Sequence, residues 1–170
     1  MNIANELTDA AVRWPDGTAL LFNEERISFS ALAQRAGHWQ QALAQLGARS
    51  GDRIAMLLPN GPDVAYGYYA TVALGAVFVP LDPVLKADEL AEILADLEPR
   101  LLVVANDSLE AAREALAVKG DGLPVHTVDD VERAGHAARF APVALDMLTT
   151  TAVVLYTSGT VGGPKGVMLS

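Results

Sequence analysis

The chain has 170 residues, 51% hydrophobic and 19% charged, the make-up of one globular domain with a sizeable core rather than of a disordered segment. Twelve basic against 21 acidic residues leave a formal net charge of -9, which argues against nucleic acid or an anionic lipid surface as a partner. There is no cysteine, which excludes disulfides and thiol-based metal or nucleophile chemistry.

Met1 to Ala11 lacks the basic start and apolar core of a signal peptide. Asp, Glu, Arg or Pro interrupts every apolar run before it reaches the ~20 residues that span a bilayer. The expectation is a soluble, cytoplasmic protein with no transmembrane segment. A short helix from Ile3 to Arg13 is closed by Pro15 and the Asp16-Gly17 turn. Strands at Thr18 to Phe22 and Arg26 to Phe29 follow, joined by Asn23-Glu24-Glu25 as a hairpin. Ser30 is the expected cap of the next helix, whose stripe of Leu32, Ala36, Trp39, Leu43 and Leu46 ends at Gly47.

An alternating pattern then sets in. Arg53 to Leu58 reads as a buried strand, Pro62 to Leu74 as a helix stopped by Gly75, and Ala76 to Val79 as the next strand. Leu90, Ile93, Leu94 and Leu97 give a helix with a clear apolar stripe, and Leu101 to Ala105 is a fully apolar strand. Ser108 to Ala117 looks helical and Pro124 to Val128 looks extended. Between Asp129 and Leu148 the pattern weakens to a helical turn and a connecting loop. Strands alternating with helices predict an α/β fold, a mostly parallel sheet with helices on its faces.

The chemistry concentrates near the C-terminus, in Tyr156-Thr157-Ser158-Gly159-Thr160-Val161-Gly162-Gly163-Pro164-Lys165-Gly166. The apolar runs Thr151 to Leu155 and Val167 to Leu169 flank it, so it reads as a loop between two strands. Glycines at 159, 162, 163 and 166 let consecutive backbone N–H groups turn inward into an anion-binding concavity. Thr157, Ser158 and Thr160 add hydroxyls, and Lys165 adds a point charge suited to phosphate oxygens. The run is not a Walker A loop, because counting from Gly159 puts Pro164 where the second glycine belongs and Gly166 where Ser or Thr belongs. An ordinary turn accounts for the glycines, but not for three hydroxyls and a lysine packed around them.

Other constellations read plainly. His38, His126 and His136 lack metal-ligand spacing. Asp88, Glu89, Glu92, Asp96 and Glu98 form the acidic face of one helix rather than an acid–base pair. Trp39 and the tyrosines 66, 68 and 69 read as packing.

The string YTSGTVGGPKGV resembles the signature loop of the adenylate-forming superfamily (acyl-CoA synthetases, luciferases and the adenylation domains of peptide synthetases), written YTSGTTGxPKGV. Eleven of twelve places agree, the departure being Val161, which lacks a hydroxyl. Ile27-Ser28-Phe29-Ser30-Ala31-Leu32 is similar to the family's T-Y-x-E-L segment, and Gly51 to Ala55 with Leu58-Pro59-Asn60 to its G-D-R-V-A and L-P-N pieces. Ala73 to Pro83 resembles the segment where a helix ends at glycine and a strand runs into a turn, with Pro80 and Pro83 expected to fix that turn.

The resemblance implies a two-step reaction in which a carboxylic acid and Mg²⁺-ATP give an acyl-adenylate, and coenzyme A then takes the acyl group. It implies an acid-CoA ligase, of fatty acids by preference, with Thr157 to Gly166 as the ATP phosphate-binding loop; no metal ligand is expected within residues 1–170. A peptide-synthetase adenylation domain and a stand-alone nucleotide-binding or interaction module stay open as alternatives. Family members run to several hundred residues. The expectation is therefore that residues 1–170 are part of the N-terminal AMP-binding domain without the C-terminal domain, inactive alone, with no complete catalytic set, and prone to self-associate through exposed apolar surface.

Overall fold

The structure is a computed structural model and describes residues 2–117, 122–145, 150–157 and 165–170. In chain order the elements are α1 (Asn5–Arg13), β1 (Thr18–Phe22), β2 (Glu25–Ser28), α2 (Phe29–Gln45), β3 (Arg53–Leu57), α3 (Pro62–Ala73), β4 (Val77–Leu81) and α4 (Ala87–Leu97). They continue with β5 (Leu101–Val104), a 3₁₀ turn (Asn106–Ser108), α5 (Leu109–Ala117), β6 (Val125–Thr127), α6 (Val128–Ala134), β7 (Val153–Thr157) and β8 (Lys165–Leu169).

Among the described residues one sheet runs in the order β6-β5-β3-β4-β7-β8, parallel except for the antiparallel β7–β8 pair, and β1 and β2 form a separate antiparallel hairpin. The α/β expectation holds. Period-two alternation sorts each central strand between two cores. Ile54 and Met56 of β3, Phe78 of β4 and Leu101 and Val103 of β5 face α1, α2, α3 and α6. Ala55 and Leu57, Val77 and Val79, and Leu102 and Val104 face α4 and α5. Strands buried on both faces read as continuous apolar runs, which is why they were visible in sequence.

Several boundaries differ for local reasons. Ser28, not Ser30, caps α2: its backbone is extended and its Oγ accepts from Ala31 N–H at 3.1 Å. The β1–β2 turn has two residues rather than three, Asn23 and Glu24, both at positive φ (47° and 68°) as a tight right-twisting hairpin requires. The stretch after β6 begins a helix at once, because Thr127 Oγ1 accepts from Asp130 N–H while the Asp130 carboxylate accepts from Thr127 N–H. The Thr127 N–H, and after it the Thr127 hydroxyl and Arg133, hold the Asp130 carboxyl below its usual range. Gly75 ends α3 at φ 73°, where a Cβ would also sit 2.7 Å from Ser50 Oγ.

Pro80 lies inside β4 rather than in the turn beyond it; Pro83 holds that turn, where Leu85 N–H donates to Asp82 C=O. A proline in a central strand removes a ladder donor. Phe78 N–H donates toward β7, to Ala152 C=O at 2.9 Å, and two residues on, the Pro80 nitrogen faces the same way without a hydrogen. The β4–β7 register is accordingly confined to Phe78↔Val153, whereas β4 pairs with β3 over its full length.

The weakly patterned stretch after α6 is a strap across α2. At Gly37 a Cβ would meet Ala138 C=O at 2.5 Å and Phe140 N at 2.8 Å. Gln40 brackets Ala141, donating to its C=O at 2.8 Å and accepting from its N–H at 3.1 Å. Nearby, Glu132 of α6 accepts two hydrogen bonds from Arg35 (2.6 and 3.0 Å) and one from Trp39 Nε1 (2.8 Å). Arg35 also lies over the Tyr66 ring, 5.1 Å from its centroid. Asp63 at the start of α3 is pushed up by burial and then by Glu132, with Arg35 opposing.

Two substitutions test this packing by urea unfolding. Gly37→Ala puts a methyl against main-chain atoms that no side-chain rotation can clear, and is expected to cost about 1–3 kcal/mol. Glu132→Ala is expected to cost about 1–3 kcal/mol through the buried Trp39 N–H left unpaired, with little from Arg35, whose charge water screens.

Candidate functional site

The β-branched pair Val153-Val154 makes β7, and Lys165 to Leu169 returns beside it as β8 in the register Val153↔Leu169 through Tyr156↔Gly166 to the closing pair Thr157↔Lys165. The two expected flanking strands are therefore observed, and they reach into the glycine-rich run: Tyr156 and Thr157 end β7, and Lys165 and Gly166 begin β8. Of the candidate phosphate-binding residues, Thr157, Lys165 and Gly166 are described; Ser158, Gly159, Thr160, Val161, Gly162, Gly163 and Pro164 lie outside the described residues. The backbone brings Thr157 and Lys165 opposite one another where the hairpin opens. Lys165 is exposed, and among the described residues its side chain makes no ion pair.

Face alternation along β7 turns Val154 and Tyr156 toward the core beneath α4 and α5. The Tyr156 hydroxyl donates to Asp96 Oδ2 of α4 at 2.6 Å. Burial, then that hydrogen bond and the Asp96 charge, hold the phenol well above its ordinary value, so it stays a donor at neutral pH. Across the hairpin the Tyr156 ring lies against Gly166, where a Cβ would meet Val154 Cγ1 at 3.1 Å and Tyr156 Cζ at 3.3 Å. Sequence reasoning took Asp96 as one more charge on a solvated helix face and read Tyr156 only as part of the loop's string. With 60 residues between them, no local pattern could join the two.

The other residues keep their plain readings. Trp39 is fully buried and Tyr66 nearly so, meeting edge to face at 6.3 Å, and Tyr68 packs on Phe78. His38 and His136 serve the α2 surface, His38 facing Glu132 and His136 bonding to Gln41. Among the described residues no group of three or more His, Asp or Glu side chains converges to hold a metal ion, and no helix is long and apolar enough to cross a membrane.

A mostly parallel sheet with helices on both faces, closed at one edge by the antiparallel β7–β8 pair, defines an α/β protein. The profile of the family described as AMP-binding enzyme matches residues 7–170, and the chain belongs to this adenylate-forming family. It is 35% identical over 168 residues to a sulfoacetate–CoA ligase of Cupriavidus necator, covering 94% of this chain and 33% of that protein. It is 32% identical over 160 residues to the vanchrobactin synthetase VabF of Vibrio anguillarum, covering 93% of this chain and 5% of that protein. Among solved structures it superposes on a long-chain-fatty-acid-CoA ligase (FadD1) from Archaeoglobus fulgidus with a TM-score of 0.87 at 27% identity, covering all of this chain and 37% of that one. The chain thus spans a third or less of the length of these two sequence relatives.

Proposed function

We infer that this chain is the phosphate-binding part of an ATP-dependent acid-CoA ligase, with Thr157 to Gly166 holding the β- and γ-phosphates of Mg²⁺-ATP. A carboxylate oxygen attacks the α-phosphorus, the bond to the bridging oxygen breaks, and pyrophosphate leaves with its electron pair. Coenzyme A then attacks the acyl carbonyl through sulfur and expels AMP, the thiol proton passing to solvent. Charge builds on the departing phosphates in the first step, where preorganised N–H groups, hydroxyls and an ammonium lower the barrier most. Magnesium enters on the nucleotide.

The observation that carries this reading is the exposed Lys165 paired with Thr157 at the mouth of the β7–β8 hairpin, in a chain of this family. Likeness to two CoA ligases supports coenzyme A as the acceptor over a carrier protein, and likeness to FadD1 supports a hydrophobic acid. Residues 1–170 alone, a third of the ligase relative's length, are expected to support no turnover.

In the enzyme that carries this chain, Lys165→Ala and Ser158→Ala are expected to slow acid-dependent pyrophosphate release by about 10²-fold while leaving the melting temperature in place. Unchanged release in both variants would overturn the assignment. A panel of acids from sulfoacetate to long-chain fatty acids, read by thioester formation with coenzyme A, is expected to favour the hydrophobic ones; acyl transfer to a carrier protein but not to coenzyme A would favour the peptide-synthetase reading instead.

A further inference from the structure

Strand β7 is weakly held where it matters. Its ladder to β4 stops at Phe78↔Val153 because Pro80 has no N–H to offer, so Leu155, Tyr156 and Thr157 extend beyond the last register pair with the body of the sheet. On its other side β7 pairs only with β8, the outer strand, whose Val167, Met168 and Leu169 are exposed at 48%, 73% and 46%. Yet this hairpin must present Lys165 to a polyanion at fixed distance, since electrostatic help is lost when a charge is misplaced by an ångström.

We propose that Tyr156 and Asp96 are positioning residues for the phosphate-binding hairpin: Asp96 of α4 fixes the Tyr156 hydroxyl, and the Tyr156 ring, seated on Gly166, sets where β8 presents Lys165. The inference rests on the reading of Lys165 as a phosphate ligand. The relay is short. Asp96 Oδ2 accepts from Tyr156 Oη at 2.6 Å, Tyr156 is the register partner of Gly166, and Gly166 follows Lys165 directly in β8. A residue larger than glycine at 166 would sit 3.3 Å from the ring carbon and 3.5 Å from the hydroxyl, so the ring and strand β8 share one fixed spacing. Both partners act through Lys165: the Tyr156 hydroxyl and the Asp96 carboxylate are engaged with one another.

The test uses the full-length enzyme and five variants: Tyr156→Phe, Asp96→Ala, Asp96→Asn, Lys165→Ala and the Tyr156→Phe/Asp96→Ala double variant. Tyr156→Phe removes one hydroxyl and little packing, and Asp96→Asn keeps an acceptor at the same place. Pyrophosphate and AMP affinities are measured alongside KM and kcat for ATP. Tyr156→Phe and Asp96→Ala are each expected to weaken pyrophosphate binding and slow adenylate formation by roughly 3- to 10-fold, the worth of one hydrogen bond. AMP, which lacks the β- and γ-phosphates, is expected to bind as before. Asp96→Asn is expected to stay within about twofold of the parent, and the Tyr156→Phe/Asp96→Ala double variant to be no worse than either single one.

A role confined to stability would lower the melting temperature and affect AMP and pyrophosphate alike, and that result overturns the proposal. So does Asp96→Asn falling as far as Asp96→Ala, which would make the charge rather than the hydrogen bond responsible. If Lys165→Ala leaves pyrophosphate binding intact, the phosphate reading itself fails. If Lys165→Ala weakens it and Tyr156→Phe does not, only the positioning inference fails.

Discussion

The architecture depends on β3 being paired on both edges and buried on both faces. Its backbone meets β4 from Arg53↔Val77 to Leu57↔Leu81 and β5 from Ile54↔Leu101 to Leu57↔Val104. Such a strand has no face left for a polar side chain once past its exposed first residue, Arg53, so Ile54 to Leu57 are apolar, and every helix is assigned to one side or the other by the strand it follows. The helix after β3 lies on the α2 face and the helices after β4 and β5 on the opposite one. Outgoing connections from neighbouring strands therefore diverge, the geometry that opens a crevice beyond the carboxyl ends of a parallel sheet.

Order declines from that centre toward the hairpin that bears the signature loop. β3 is locked by two ladders, β4 by one full ladder and one register pair, and β7 by that pair and its antiparallel partner. Pro80 marks where the regular hydrogen bonding ends and side chains take over. A strand that is not committed to the sheet over its whole length can be placed by contacts specific to it.

Much of this was legible beforehand. The stripe Leu90, Ile93, Leu94 and Leu97 and the runs at 53–57 and 101–104 carry their periods openly, and the apolar runs on either side of the glycine-rich stretch announce strands β7 and β8. The misreadings were local. Ser28 and Ser30 are both competent caps, and only backbone conformation separates them. Proline ordinarily argues against a central strand, and Pro80 is accommodated because its nitrogen faces β7, where the β4 ladder has one register pair, and not β3, where the ladder is complete. The helix after Thr127 was signalled by T-x-x-D, a shorter relative of the usual capping box. Contacts such as Tyr156 with Asp96 or Trp39 with Glu132 join residues 60 and 93 apart, and nothing in a linear pattern encodes them.

The strap over α2 has an evolutionary corollary. Gln40 reads only the main-chain N–H and C=O of Ala141, and Gly37 makes room for main-chain atoms of residues 138 and 140. What α2 specifies is thus mainly the path of the strap and not its side chains, apart from the buried ring of Phe140 and the His136 imidazole bonded to Gln41. Homologous straps should drift freely in composition while tracing the same route, and it is the helix beneath, at its small and amide positions, that should bear the record of selection.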